Sequence, residues 1–547
     1  MRRDLAACST ILAAMAALLF NFSRPALAAD PDGIPLSTAA GDQILPVTVS
    51  DGSGGAIVAW HDASNGRCYA QRLNSLGVPQ WTAGGVALST TADVSQEVVM
   101  VADGAGGAFL AFDGSSTQPR AQRVNASGAP QWGADGVQLT TNVSSTRELA
   151  IALDVGGTGG AFVAWRLDNG FGGTADVYGQ KLNSSGALQW GSDGIVVAGS
   201  TMNGEGNPAI VSDGAGGAIF AWIGPGVRAR GFNGAGTEVW SNANLSSSGN
   251  NMPPSMASDG AGGAIIAWAG GGAFIQRVSS TGVRLWNPGL GGVTLSAFGR
   301  APTVIADGAG GAIVAWEDNR SGNYNLYAQK LSNAGATQWT MDGTAFCFAS
   351  DDQRAPKMIS DGAGGGIITW YDARSGAFLR DIYAQRINGT GASMWTTDGV
   401  YVTRAANHQD FPTIATDGAG GAWIAWQDLR NGTNEDIYAS RVYPSGAVLD
   451  VPNLRASELE ARVWPHPFVD RVHLDFALPA SASVRMAVYG VDGRAVADLG
   501  TSTLPAGRHT VTWDGHARDG RPAGAGLYFL RVQGPGIALT RSVVRLR

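Results

Sequence analysis

The chain has 547 residues, of which 44% are apolar and only 15% charged, with a formal net charge of −7. This balance excludes a nucleic-acid binder built on clustered positive charge, while the apolar share suffices for a sizeable core. Glycine reaches 79 residues, which points to many tight turns.

Residues 1–29 read as a secretory signal peptide. Arg2 and Arg3 form a short basic start, an apolar stretch follows that is densest from Ile11 to Phe20, and Ala26-Leu27-Ala28 fits the small-x-small cleavage rule. The stretch is short for a membrane span, and no later segment offers about 18 continuous apolar residues. No transmembrane segment is therefore expected in the mature chain. Cleavage leaves Cys68 and Cys347, in different repeats and at different repeat positions. Two buried thiols are expected rather than a disulfide framework.

Residues 30–450 carry a repeat. The phrase Asp-Gly-(Ala/Ser)-Gly-Gly, followed by an apolar run ending in an aromatic residue, begins at Asp51, Asp103, Asp154, Asp213, Asp259, Asp307, Asp361 and Asp417. The copy at Asp154 is loosened by two extra residues. A period near 50 residues marks a repeat architecture. Within each copy, runs of β-branched and aromatic residues alternate with Gly, Asp, Asn and Ser clusters, and no stretch favours a helix. The reading is about four strands per repeat, joined by tight hairpins.

Two aromatic slots recur. The first holds Trp60, Phe112, Trp165, Trp222, Trp268, Trp316, Trp370 and Trp426, and the second holds Trp81, Trp132, Trp190, Trp240, Trp286, Trp339 and Trp395. A ring present once per repeat is expected to pack one repeat on the next.

The ends of the repeat region complement each other. Asp32-Gly33-Ile34-Pro35-Leu36-Ser37 matches the closing piece of other copies, such as Asp135 to Thr140, and the last copy stops at Leu449 before its own closing piece. Together the fragments make one whole repeat, which is what a ring needs to fasten its last blade and remove open strand edges. The expected fold is all-β: an eight-bladed β-propeller, with seven blades and a degenerate copy as the alternative, followed by a small immunoglobulin-like β-sandwich. Ala70 to Trp81 read Ala-Gln-Arg-Leu-Asn-x-x-Gly-x-x-x-Trp. This is similar to the tryptophan-docking repeat of quinoprotein-type eight-bladed propellers, although the gap from Asn74 to Gly77 is one residue shorter. The resemblance implies architecture, with no quinone or calcium site.

Chemistry-bearing residues are sparse. Three copies carry Asp-x-Arg-x-Gly after the first aromatic slot, giving Asp318 and Arg320, Asp372 and Arg374, Asp428 and Arg430, whereas Asp62 keeps only the acid. Such loops gather on one rim of a propeller. Their oxygen donors suit a polar ligand or a cation such as calcium. The plainer reading is a turn held by Asp side-chain hydrogen bonds and an Arg contact. No Asp-x-Asp-x-Asp-Gly loop occurs, and no cofactor is expected. The Gly-rich phrases join strand to strand, so they do not form a phosphate cradle, which needs a helix N-terminus. Glycosidase chemistry needs two placed carboxylates. Glu97, Glu148, Glu205 and Glu238 stand outside the shared repeat motif, and Glu317 and Glu435 complete the glutamates of this region. No nucleophile elbow, zinc motif or Cys-x-x-Cys pair is present.

Periodicity ends near Val451. Residues 451–461 read as a linker and residues 462–547 as a different β pattern. It includes Trp464-Pro465-His466-Pro467-Phe468, the Tyr489 to Val496 segment with its Asp-Gly-Arg turn, Gly507 to Gly515 with Trp513-Asp514-Gly515, and Gly526-Leu527-Tyr528-Phe529. This region resembles the flagellar hook-capping immunoglobulin-like domain and the related C-terminal sorting domains of type IX secretion. His466 replaces the asparagine common in the opening Asn-Pro-Phe, and arginines replace a lysine-rich finish. The resemblance implies export across an outer membrane, through export machinery that recognises residues 462–547. It places the protein outside the cell or on the outer surface of a bacterium with an outer membrane. A plain sandwich spacer is the competing reading.

The regular repeats favour a secreted or surface-displayed non-catalytic protein that binds an extracellular glycan, protein or surface. The alternatives are a secreted propeller hydrolase or lyase acting on polysaccharide, and a structural surface component.

Overall fold

A computed structural model describes residues 33–449 and 462–546, apart from short stretches at 91–93, 115–117, 143, 169–174, 200–203, 247–251, 290, 377–378, 479–481, 492, 505–506 and 535–536. The expected leader at 1–29 and the expected linker at 451–461 lie outside the described residues. The regular elements described are all β-strands.

Residues 34–442 form eight four-stranded antiparallel sheets in succession. In the first, Gln43–Ser50 is innermost, followed by Ala56–Asp62, Arg67–Leu73 and the short Val86–Ala87. Each innermost strand packs on the innermost strand of the next sheet, and Gln409–Thr416 of the last packs on Gln43–Ser50 of the first. The last sheet takes its outermost strand from the start of the repeat region, where Ile34–Ser37 pairs antiparallel with Asp436–Val442 and Ile34 faces Ala439. The fold of this region is a β-propeller.

The repeated phrase is the hairpin between the first and second strands of each sheet. In the first copy, Asp51 Oδ1 accepts the amides of Ser53 and Gly55, each at 2.8 Å. Gly52 and Gly54 have φ near 72° and 88°, and a Cβ on Gly55 would stand 2.0 Å from the carbonyl oxygen of Leu73. Left-handed turns and this close approach explain the three glycines. The other carboxylate oxygen, Oδ2, accepts Arg72 Nε and Nη2 at 3.0 and 2.9 Å. The same clip joins Asp103 to Arg123, Asp259 to Arg277, Asp361 to Arg386 and Asp417 to Arg441, while Lys181 serves Asp154. The arginine of the Ala-Gln-Arg triplet is thus the partner of the repeat aspartate. The buried glutamine beside it holds the next turn: Gln71 Oε1 accepts the amides of Arg72 and Trp81, and its Nε2 donates to Thr82 O.

Both aromatic slots are packing elements. The first-slot rings are at most 1% exposed in every sheet, and each buried ring of this size removes a large apolar area from water. Second-slot rings dock on the following sheet. Trp81 Nε1 donates to Ala126 O, Trp286 to Asn333 O and Trp395 to Pro444 O, at 2.8–3.1 Å. A Cβ on Gly128 would lie 2.8 Å from the Trp81 ring, so a glycine is required under the indole.

Seven of the eight innermost strands carry a bulge opposite the first-slot residue, and in the second sheet the slip lies opposite Asp113 instead. In the first sheet the register slips between Ile44 and Val47, and Leu45 has φ near 53°. Pro46, Pro208, Pro254, Pro302, Pro356 and Pro412 occupy the bulges, where a missing N–H costs no ladder bond.

The C-terminal region folds as two sheets. One comprises Arg462–Trp464, Val472–Leu478 and Gly507–Trp513. The other comprises Ala495–Leu504, Ala482–Gly490, Gly526–Gly534 and Ile537–Arg545. Phe468, Leu474, Val488, Trp513 and Leu530 form its core. Trp513 lies edge-on to Tyr528, with centroids 5.0 Å apart, and donates its Nε1 to His516 O.

Candidate binding face at the mouth of the ring

The hairpins between second and third strands, the links between sheets and the bulges all lie at one end of the sheets. The Asp-x-Arg-x-Gly loops sit here. Asp318 Oδ2 accepts Trp316 Nε1 at 3.0 Å, Ser296 Oγ at 2.6 Å and Arg320 Nη2 at 2.6 Å, while Oδ1 accepts Arg320 Nε at 2.8 Å. Arg320 lies over the Tyr327 ring at 4.2 Å, and that ring stacks on Trp316. Burial alone would raise the Asp318 pKa, but the bonds from Arg320, Ser296 and Trp316 outweigh it and lower the pKa. Asp372 with Arg374 and Asp428 with Arg430 repeat the arrangement on Trp370 and Trp426. The structure brings all six predicted residues to this face. Their three carboxylates are fully buried and already hydrogen-bonded, which makes these residues turn clips.

A non-repeat glutamate explains one departure from the pattern. The fourth sheet lacks the aspartate, and Glu205 accepts Trp222 Nε1 at 2.6 Å instead. Burial raises the Glu205 pKa. Glu148 lies in the bulge of the third sheet, accepts Arg166 Nη1 at 2.9 Å, and accepts the Asn207 amide of the next sheet. Glu97 lies close by, near Asp113 and Glu148, and burial pushes its pKa up to about 7 despite bonds from the backbone of Leu149 and Glu148.

Between the later sheets the mouth is lined by anchored cations and aromatic rings. Glu317 is almost fully buried. Its Oε1 accepts the Ala355 amide of the neighbouring sheet at 2.7 Å, and Oε2 lies 3.2 Å from Arg354 Nε. Arg354 stands 4.3 Å from the Tyr324 ring centre, and Arg300 donates to the Tyr324 hydroxyl at 2.9 Å. Arg380 pairs with Asp410 at 2.8 Å. Beside these groups Phe298, Phe348 and Phe411 are each more than half exposed. Phe411 is held in its bulge with φ near 49°. Sequence reasoning reached this face through the Asp-x-Arg-x-Gly loops but missed these arginines and phenylalanines, because they come from links and bulges outside the shared motif. The one available signal was that Glu97, Glu148 and Glu205 stand outside the repeat. Among the described residues, no group of three or more His, Cys, Asp or Glu is placed to hold a metal ion.

Residues 469–535 match the FlgD Ig-like domain family, so the C-terminal region carries an immunoglobulin-like domain. Among curated proteins, no sequence matches this chain significantly. Solved structures similar to it include the BP39L lectin from Burkholderia pseudomallei, at 11% identity over 66% of this chain and 99% of that one, with a TM-score of 0.43. A puromycin hydrolase is similar at 14% identity over 82% of this chain, with a TM-score of 0.39. The match spans only 61% of that hydrolase's length. A protein of unknown function from Dyadobacter fermentans is similar at 8% identity over 75% of this chain and 98% of that one, with a TM-score of 0.37.

Proposed function

We propose that the protein is a secreted or surface-displayed, non-catalytic eight-bladed propeller that binds an extracellular glycan through the mouth face. The observation that carries this reading is the combination of exposed Phe298, Phe348 and Phe411 with Arg300, Arg354 and Arg380. Flat apolar rings offer stacking surface to sugar faces, and anchored guanidinium groups offer planar donors to hydroxyls or carboxylates at little ordering cost. The carboxylates described here are engaged by arginines, indoles or backbone amides, which favours binding over hydrolysis. The immunoglobulin-like domain serves as the export or attachment module in this reading.

A glycan array probed with the full-length secreted protein tests it, alongside polysaccharide cleavage assays. Binding to defined glycans that is lost in Phe348→Ala/Phe411→Ala, with an unchanged melting transition, supports the reading. Turnover of a polysaccharide that is abolished by Glu97→Gln overturns it in favour of a hydrolase or lyase. Absence of glycan binding overturns it in favour of a protein or surface partner.

A further inference from the structure

One residue between bulge and hairpin occupies the same register in all eight innermost strands. It faces Ala59, Ala111, Ala164, Ala221, Ala267, Ala315 and Ala425 in seven sheets, and Thr369 in the remaining one. In the first four sheets this position holds Val47, Val99, Ala150 and Ala209. In the last four it holds Ser255, Thr303, Lys357 and Thr413. One level of the ring interior is therefore apolar on one side and polar on the other.

A central cavity of about 360 Å³ opens at this level. Its walls include Val47, Val99, Ala150 and Ala209 from the apolar side and Thr413 from the polar side. Lys357 is the register equivalent of these lining residues. Its side chain is accessible, yet the surrounding protein desolvates the amine enough to lower its pKa. Among the described residues no hydrogen bond or ion pair reaches its ammonium group. It is also the only charged residue between bulge and hairpin in any innermost strand.

We propose that the central cavity binds a small amphiphilic carboxylate, with the carboxylate on Lys357 and the apolar body against Val47, Val99, Ala150 and Ala209. An unpaired ammonium in a confined space gains most from a group that supplies opposite charge and accepts its hydrogen bonds. The volume lies at the lower end of the range for ligand pockets, roughly 300–1,000 Å³. The apolar arc favours an aliphatic or aromatic body over a bare anion. Ser255 accepts the Val304 amide at 3.2 Å, so the hydroxyl side is partly committed within the fold. Lys357 is then the group that selects for charge. This inference is independent of glycan binding, because the exposed phenylalanines are not among the residues that line the cavity.

Titration calorimetry on the full-length protein tests it with octanoate, octan-1-ol and inorganic phosphate as probes. Octanoate should bind at one site, about tenfold or more tighter than octanol, the difference a charge-assisted hydrogen bond makes. Lys357→Met should reduce octanoate to the octanol level and leave octanol unchanged. Lys357→Gln serves as a second variant, with a melting transition to check each fold. On the unmodified protein, octanoate should slow acetylation of Lys357 by acetic anhydride without slowing that of Lys330. Equal binding of octanoate and octanol, phosphate binding as tightly as octanoate, no octanoate binding, or unslowed acetylation of Lys357 would each overturn the proposal.

Discussion

The indole Nε1 of Trp423 donates to the carbonyl oxygen of Gly54 at 3.0 Å, tying the last sheet to the first across 369 positions of sequence. The last copy stops before its second aromatic slot, so it has no tryptophan there to dock on the next sheet. Trp423 stands where other copies carry aliphatic residues or phenylalanine, such as Ile57 and Phe109. It restores the missing indole from a neighbouring strand. Ile34 and Leu449 fill the rest of the joint, both lying where a Cβ on Gly77 would go.

Trp423→Ala should therefore destabilise the repeat region by about 3–5 kcal/mol, the scale of truncating a large ring in a core. Trp423→Phe keeps most of the packing and loses one hydrogen bond, at about 1 kcal/mol. Urea unfolding followed by tryptophan fluorescence reads both. An unchanged midpoint for the alanine variant would mean that closure does not depend on this joint.

The clip residues should affect stability rather than recognition. Trp316→Ala should cost about 3–5 kcal/mol. Asp318→Ala, which strands the Trp316 indole and the Arg320 guanidinium, should cost about 2–3 kcal/mol. Folded Asp318→Ala should keep its glycan profile. A selective loss of binding at full stability would make the loop a ligand site after all.

Glu97 makes stability depend on pH in a defined direction. Its pKa rises on folding from 4.5 to about 7, led by burial, so the folded state holds a proton that the unfolded state has released. Its contribution is complete below about pH 4.5 and is lost as pH climbs through about 7. Asp381 and Asp436, each pushed up to about 6 by burial first, act in the same sense. Glu97→Gln should match the parent at pH 4 and exceed it in stability at pH 8. Denaturant midpoints across that interval check this, and a parallel pair of curves would contradict it.

Export rests on the C-terminal domain in the reading proposed above. In the native host, a chain truncated after residue 450 should accumulate in the periplasm, followed by cell fractionation. Normal delivery of that truncated chain to the surface or medium would reduce residues 462–547 to a spacer.

Local signals in the chain were enough to identify the strands, the hairpins and the packing role of the tryptophans. Asp-Gly turns, glycines with positive φ and a ring at a fixed place in each copy are short-range features with short-range causes. The complementary ends likewise pointed to the pairing of Ile34–Ser37 with Asp436–Val442. Tertiary structure alone decided which polar groups meet. Glu205 serves Trp222 and Glu317 bridges to the Ala355 amide because neighbouring sheets bring those atoms within bonding distance. Lys357 and Val99 share one register level of the innermost strands although 258 positions separate them. A repeat makes every copy look alike along the chain. Closing it into a ring aligns the copies by register, and only then do their differences fall on one face or at one level.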